Sequence, residues 1–124
     1  MLLIRTYVAP SAIQGLGLFA AEDVSEGTKV WAFAPGLDQL IAQTQLTELP
    51  AAFRDYLARY AYTTPSYPGL IVLSCDHAKF MNHSEDPAIE SVGDESFARR
   101  ILAVGEEITC DYRAFVTGWT SFEA

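Results

Sequence analysis

The feature that most constrains this chain is its punctuation. Apolar stretches are short and close at glycine or proline, a pattern that suits strands joined by turns. Leu2 to Val8 reads as a first strand with Ile4, Thr6 and Val8 on one face, broken at Ala9-Pro10-Ser11. Gly15 to Ala21 is a glycine turn running into a second strand. After the turn at Ser25-Glu26-Gly27-Thr28, Lys29 to Phe33 returns as its hairpin partner and ends at Pro35-Gly36. Gly69 to Ser74, Ser96 to Ala103 and Ile108 to Tyr112 read as further strands, with an acidic loop before Ser96. Only residues 45–62 change period: Leu46, Leu49, Phe53, Leu57 and Tyr60 form one helical stripe, with Arg54, Asp55 and Arg59 off it. Thr47 is the expected cap, and Pro50 fits the first turn. The expected class is mainly β, with several small sheets and one mid-chain helix. No repeat, low-complexity tract or linker divides residues 1–124, so one domain is expected.

Charge and cysteine content narrow the function. Sixteen acids against eight bases leave a net charge of −8, which argues against direct nucleic-acid binding, since phosphates call for a basic face. Apolar runs are too short to span a bilayer, and Met1-Leu2-Leu3-Ile4 is cut off by Arg5 without a signal-peptide pattern. No membrane role and a cytoplasmic location are the expectations. Cys75 and Cys110 form no C-x-x-C and read as buried free thiols. Glu85, Asp86, Glu90, Asp94 and Glu95 cluster with no base among them. Such a segment is either a solvated loop or a surface that steers a basic partner.

Three stretches carry candidate chemistry. Gly15-x-Gly17 lacks the third glycine and following helix of a dinucleotide fingerprint; it is a turn needing positive φ or a close approach to a ligand. Asn82-His83-Ser84 puts an amide, an imidazole and a hydroxyl side by side. A Ser84-His83 hydrolase fails because sequence neighbours rarely present nucleophile and base to each other, and His77 with His83 matches no zinc spacing, so no metal is expected. Glu106 and Glu107 lie on a strand, where neighbours face opposite ways, so one faces solvent.

In combination these stretches resemble the SET domain of protein-lysine methyltransferases. Gly15-Leu16-Gly17-Leu18-Phe19-Ala20 is similar to its N-terminal motif, followed by the turn Asp23-Val24-x-x-Gly27. Phe80-Met81-Asn82-His83-Ser84-x-x-Pro87 resembles its N-H-S-x-x-P signature. Gly105-Glu106-Glu107-Ile108-x-x-Asp111-Tyr112 resembles its G-E-E-L-x-x-D-Y signature. The motif-bearing core runs over about 3–112, with 113–124 as a tail. The resemblance implies a C-terminal pseudoknot. It also implies S-adenosyl-L-methionine in one cleft and a lysine from a basic protein entering a narrow channel from the other side. Gly15, Leu16, Gly17, Asn82, His83 and Tyr112 are then cofactor-binding, with Asn82 and the His83 backbone as the clamp and Ser84 as a turn former. Tyr112 stands where methyl passes to nitrogen, and Tyr62 is the candidate second channel tyrosine, Tyr60 being core.

The chain departs from the family in three places. Ala88 follows Pro87 where Asn is common, which predicts a weaker loop. No cysteine cluster follows Tyr112, so Phe115 or Trp119 is the candidate cover for the cofactor's adenine, with core or oligomer packing as the alternative. Cys110, two before Tyr112, stands where Phe or Tyr is common, which predicts room for di- or trimethylation. The resemblance implies a small stand-alone enzyme and raises the acidic segment as a docking surface. An idle SET-like module that binds a peptide or the cofactor, and an enzyme for a small amine, are the alternatives.

Overall fold

The computed structural model describes residues 1–114; Phe115 and Trp119 lie outside them. The architecture is mainly β, in three small sheets. β1 (Thr6–Pro10), β2 (Leu16–Ala20), β9 (Glu107–Cys110) and β6 (Asn82–His83) form a four-stranded sheet in the order β1-β2-β9-β6. β3 (Lys29–Ala32), β8 (Glu95–Ala98) and β7 (Ile89–Val92) form a second. β4 (Gln39–Ala42) pairs with β5 (Leu70–Leu73) in a third. The late strand β9 enters between β2 and β6, antiparallel to the first and parallel to the second. This insertion sets two motifs distant in sequence side by side.

Several elements differ from expectation for identifiable reasons. The first strand is Thr6–Pro10, with Leu2 making only a bridge to Trp31. Pro10 is tolerated because β1 is an edge strand. β3 is not the hairpin partner of β2; it pairs with β8, while β2 pairs with β1 and β9. The expected acidic loop is instead the hairpin β7–β8. Gly93, at φ 60°, turns it without a Cβ penalty. β8 stops at Ala98, and Leu102 then bridges to Val24.

The expected helix is two pieces. A 3-10 helix covers Gln43–Glu48, and α1 covers Ala51–Tyr60. The break falls at Leu49, extended at ψ 148°, because the residue before a proline is pushed out of the helical region. Pro50 is the residue before the first turn, and Thr47 caps nothing.

Two apolar clusters hold these pieces. Leu18, Val30, Trp31, Ala88, Ile89, Leu102 and Ile108 are the centre of the larger one, between the first two sheets. Leu57, Ala61 and Ile71 centre the smaller, where α1 packs on the β4–β5 sheet. Buried Asp38 ties the region between them: its carboxylate accepts the Ala34 N–H at 2.8 Å and the Cys75 N–H at 2.9 Å. Cys110 is buried, but Cys75 is exposed, against the expectation for it, since β5 ends before it. Among the described residues no helix is long and apolar enough to cross a membrane.

Candidate active site

The β6–β9 pairing builds the site. Asn82 sits opposite Thr109, and His83 opposite Cys110. Ser84 continues the ladder, its N–H donating to the Cys110 carbonyl at 2.9 Å, and its hydroxyl accepts the Asp86 N–H at 3.1 Å to close a turn. His83 Nδ1 accepts the Tyr112 N–H at 3.0 Å, which locks the start of the last turn to β6. With Nδ1 acting as acceptor, the neutral ring carries its proton on Nε2. The 3.7 Å approach of Asp111 to the same nitrogen is therefore not an ion pair.

The side chain of Asn82 turns toward the glycine loop. Its Nδ2 donates to the Gln14 carbonyl at 3.1 Å, the Leu16 carbonyl at 3.2 Å and Glu107 at 3.0 Å. Glu107 also accepts the Ser11 hydroxyl at 2.8 Å. A Cβ on Gly17 would stand 2.5 Å from the Glu107 carboxylate and 3.0 Å from Ser11 Cβ, so glycine is what lets this polar knot close. Gly15 adopts φ 48°, a left-handed conformation open to glycine. Glu106 and Glu107 do not act as a pair. Glu106 reaches Arg100 at 3.3 Å, while Glu107 holds the loop. Glu106 lies just before β9 and Glu107 is its first residue, so the split comes from where the strand begins and not from alternation along it.

A narrow cavity of about 80 Å³ opens beside this loop, walled by Trp31, Tyr62, Met81, Cys110 and Tyr112. Arg59, Tyr60 and Lys79 also line it. Tyr60, expected in the core, is thus a wall residue, because the helix ends there and the chain turns into the site. Tyr62 is placed by a two-way backbone bridge to Val72, at 3.0 and 2.8 Å. The Tyr112 hydroxyl donates to the Met81 carbonyl at 2.6 Å. Burial, with the neighbouring Cys110 next, raises the Tyr112 phenol to about 12. Burial likewise pushes the Cys110 thiol to about 12 and the Tyr62 phenol well above its ordinary range. All three stay protonated near neutrality.

The loop that follows is well anchored. Ala88 is fully buried, its N–H donates to Thr109 Oγ1 at 3.1 Å, and its carbonyl accepts the Arg99 N–H at 2.9 Å. These two bonds, one to a side chain and one to the backbone, are what hold the loop at the position where asparagine is common.

With the glycine loop, the Asn-His strand and the tyrosine cavity in one place, the family follows. The SET domain model matches residues 15–113, and the chain belongs to the SET domain family. Among solved structures, a Plasmodium falciparum protein assigned as a histone methyltransferase superposes with a TM-score of 0.57 at 19% identity, covering 88% of this chain and 93% of that one. A humanized mutant of the Chaetomium thermophilum Polycomb Repressive Complex 2, bound to the inhibitor GSK126, superposes with a TM-score of 0.66 at 23% identity. It covers 92% of this chain and 16% of that chain. At these identities the likeness is one of fold. No curated protein matches in sequence.

Proposed function

We propose that this protein transfers a methyl group from S-adenosyl-L-methionine to the side-chain amine of a lysine in a basic protein. The observation that carries the reading is the convergence of Tyr112, Cys110 and Tyr62 on one narrow cavity beside the Gly15–Gly17 loop. The loop fits the cofactor: Gly15 is left-handed, Gly17 has no room for a Cβ, and Asn82 with Glu107 holds the backbone rigid for a close approach. Gly15, Leu16 and Gly17 would offer backbone, the His83 backbone would flank it, and Asn82 would act through the loop it ties. When bound, S-adenosylmethionine supplies an electrophilic methyl on a sulfonium.

The chain's own residues would supply alignment and dryness. A lysine of ordinary pKa near ~10.4 enters the reaction as the neutral amine, its proton passing to water. The apolar walls and the charges of Arg59 and Lys79 beside the cavity favour that neutral form. With its proton committed to Met81, the Tyr112 hydroxyl meets the amine as an acceptor and orients its lone pair. A phenol raised to about 12 is not a base near neutrality. Cys110 leaves space that an aromatic side chain would fill.

The acidic segment supports a basic partner in part. Asp86 is drawn to Arg99 at 3.3 Å, Glu95 pairs with Lys29, and Asp94 accepts the Tyr67 hydroxyl. Glu85 and Glu90 remain exposed beside Asp111 on one shallow surface.

Labelled S-adenosylmethionine incubated with the protein and cell lysate tests the reading. Label should appear in protein, and Tyr112→Phe should lower turnover on the order of a hundredfold at similar cofactor affinity. Cofactor binding without transfer would establish an idle module, and label confined to protein-free extract would establish a small amine as substrate.

A further inference from the structure

We propose that Ser11 is a positioning residue for the cofactor loop, joined to Glu107 in a clasp that sets the shape of the Gly15–Gly17 backbone before a ligand arrives. The proposal rests on the S-adenosylmethionine reading and gives a role to a residue outside the three motif stretches.

The loop between β1 and β2 has little packing to hold it. Residues 12–16 are exposed, Ile13 to 51% and Leu16 to 48%, so polar ties fix its course. Ser11 supplies three of them. Its backbone N–H donates to the Gly15 carbonyl at 2.8 Å and closes the loop on itself. Its hydroxyl accepts the Ile13 N–H at 2.9 Å, the turn a serine side chain makes with the residue two on. The same hydroxyl donates its one proton to Glu107, standing 2.8 and 2.9 Å from the two carboxylate oxygens. A hydroxyl can donate and accept at once; alanine does neither, and aspartate would set a like charge against Glu107.

Glu107 is the first residue of β9 and carries the clasp from the loop to the sheet. It enters none of the ion pairs formed among the described residues. Its charge is met there by neutral donors, Ser11 and, at 3.0 Å, Asn82, and such charge-assisted bonds are the stronger kind. The clasp closes over Gly17, where a Cβ would stand 3.0 Å from Ser11 Cβ and 2.5 Å from the carboxylate. Ser11 thus grips the loop at the exit of β1, while Asn82 grips it at the Gln14 and Leu16 carbonyls. A loop already held in one shape loses less freedom when a ligand binds, and affinity rises accordingly.

Calorimetric binding of S-adenosyl-L-homocysteine to Ser11→Ala, Glu107→Gln and the double variant tests the clasp, together with amide exchange in the ligand-free protein. Each single change should weaken binding roughly threefold to tenfold. The double change should weaken it no more than Glu107→Gln alone, since both remove one shared bond. Exchange of the residue-11 amide, which closes the loop on Gly15, should quicken in both single variants. Ala12→Ser, at an exposed neighbour, should alter neither readout. Losses that add, undiminished affinity in Ser11→Ala, or unchanged exchange at residue 11 overturns the assignment. Thermal melts should match the unaltered protein, because the loop is exposed; a lowered melt in Ser11→Ala would place its role in the fold and overturn the assignment too. If the unaltered protein does not bind S-adenosylhomocysteine, the cofactor reading itself falls and takes this role of Ser11 with it, whereas binding without the expected losses overturns the clasp alone.

Discussion

Tyr112, Cys110 and Asn82 each do something different from what their residue type suggests in isolation. Tyr112 looks like a base, but its proton is donated to Met81 and burial holds it on the oxygen. Cys110 looks like a nucleophile, but it is buried and its thiol is raised to about 12, so its contribution is its size. Replacing it with tyrosine should therefore restrict the product to monomethyl-lysine, whereas the unaltered protein is expected to yield di- or trimethyl forms. Mass spectrometry of a labelled substrate peptide checks this, and an unchanged product would refute the role of size. Asn82 looks like a ligand-facing amide, but it spends its N–H groups on Gln14, Leu16 and Glu107. Asn82→Ala should weaken cofactor binding by roughly 0.5–1.5 kcal/mol, the net worth of a hydrogen bond whose partner carbonyls stay open to water. Lost transfer at full cofactor affinity would show that Asn82 acts on chemistry directly.

At the scale of elements, α1 is what couples the two sides of the site. It presents Leu57 to the smaller cluster and delivers Arg59, Tyr60 and Tyr62 to the cavity within one turn and its exit. Leu57 is fully buried, and Leu57→Ala should cost about 2–5 kcal/mol of stability. The cavity wall should loosen with it, so urea unfolding should show a lower midpoint and cofactor affinity should fall in the same variant. Helical periodicity revealed this element, though not its break, because Pro50 acts on the residue before it while Leu46 and Leu49 keep the apolar rhythm across the gap. β4 was missed since Gln39-Leu40-Ile41-Ala42 has no alternation to betray it; pairing with β5 makes it a strand. The β7–β8 hairpin hid behind its acids, although Gly93-Asp94 was a legible turn.

For the molecule as a whole, burial of titratable groups around one cavity predicts how stability responds to alkali. Cys110 rises from 9.0 to about 12, and Tyr112 from 10.0 to about 12. Both are neutral when protonated, so above pH 9 the folded state holds more protons than the unfolded one, and stability must fall as pH rises. Their contribution is whole below about pH 9 and is lost on the way to pH 12. Urea midpoints across this range should decline, and in Cys110→Ser the decline should begin nearer pH 10; an onset that does not move would place the effect elsewhere. The motifs themselves were readable from short windows, because glycine turns, the Asn-His-Ser run and the Asp-Tyr pair are local patterns of chemistry and backbone freedom. From them came the family, the mainly β class and the set of residues to watch. Which of those residues meet was settled by tertiary structure. β6 lies against β9, Glu107 closes under Gly17, and Arg59 reaches Gly15 because strands and a helix far apart in sequence share buried surface. No local window records that.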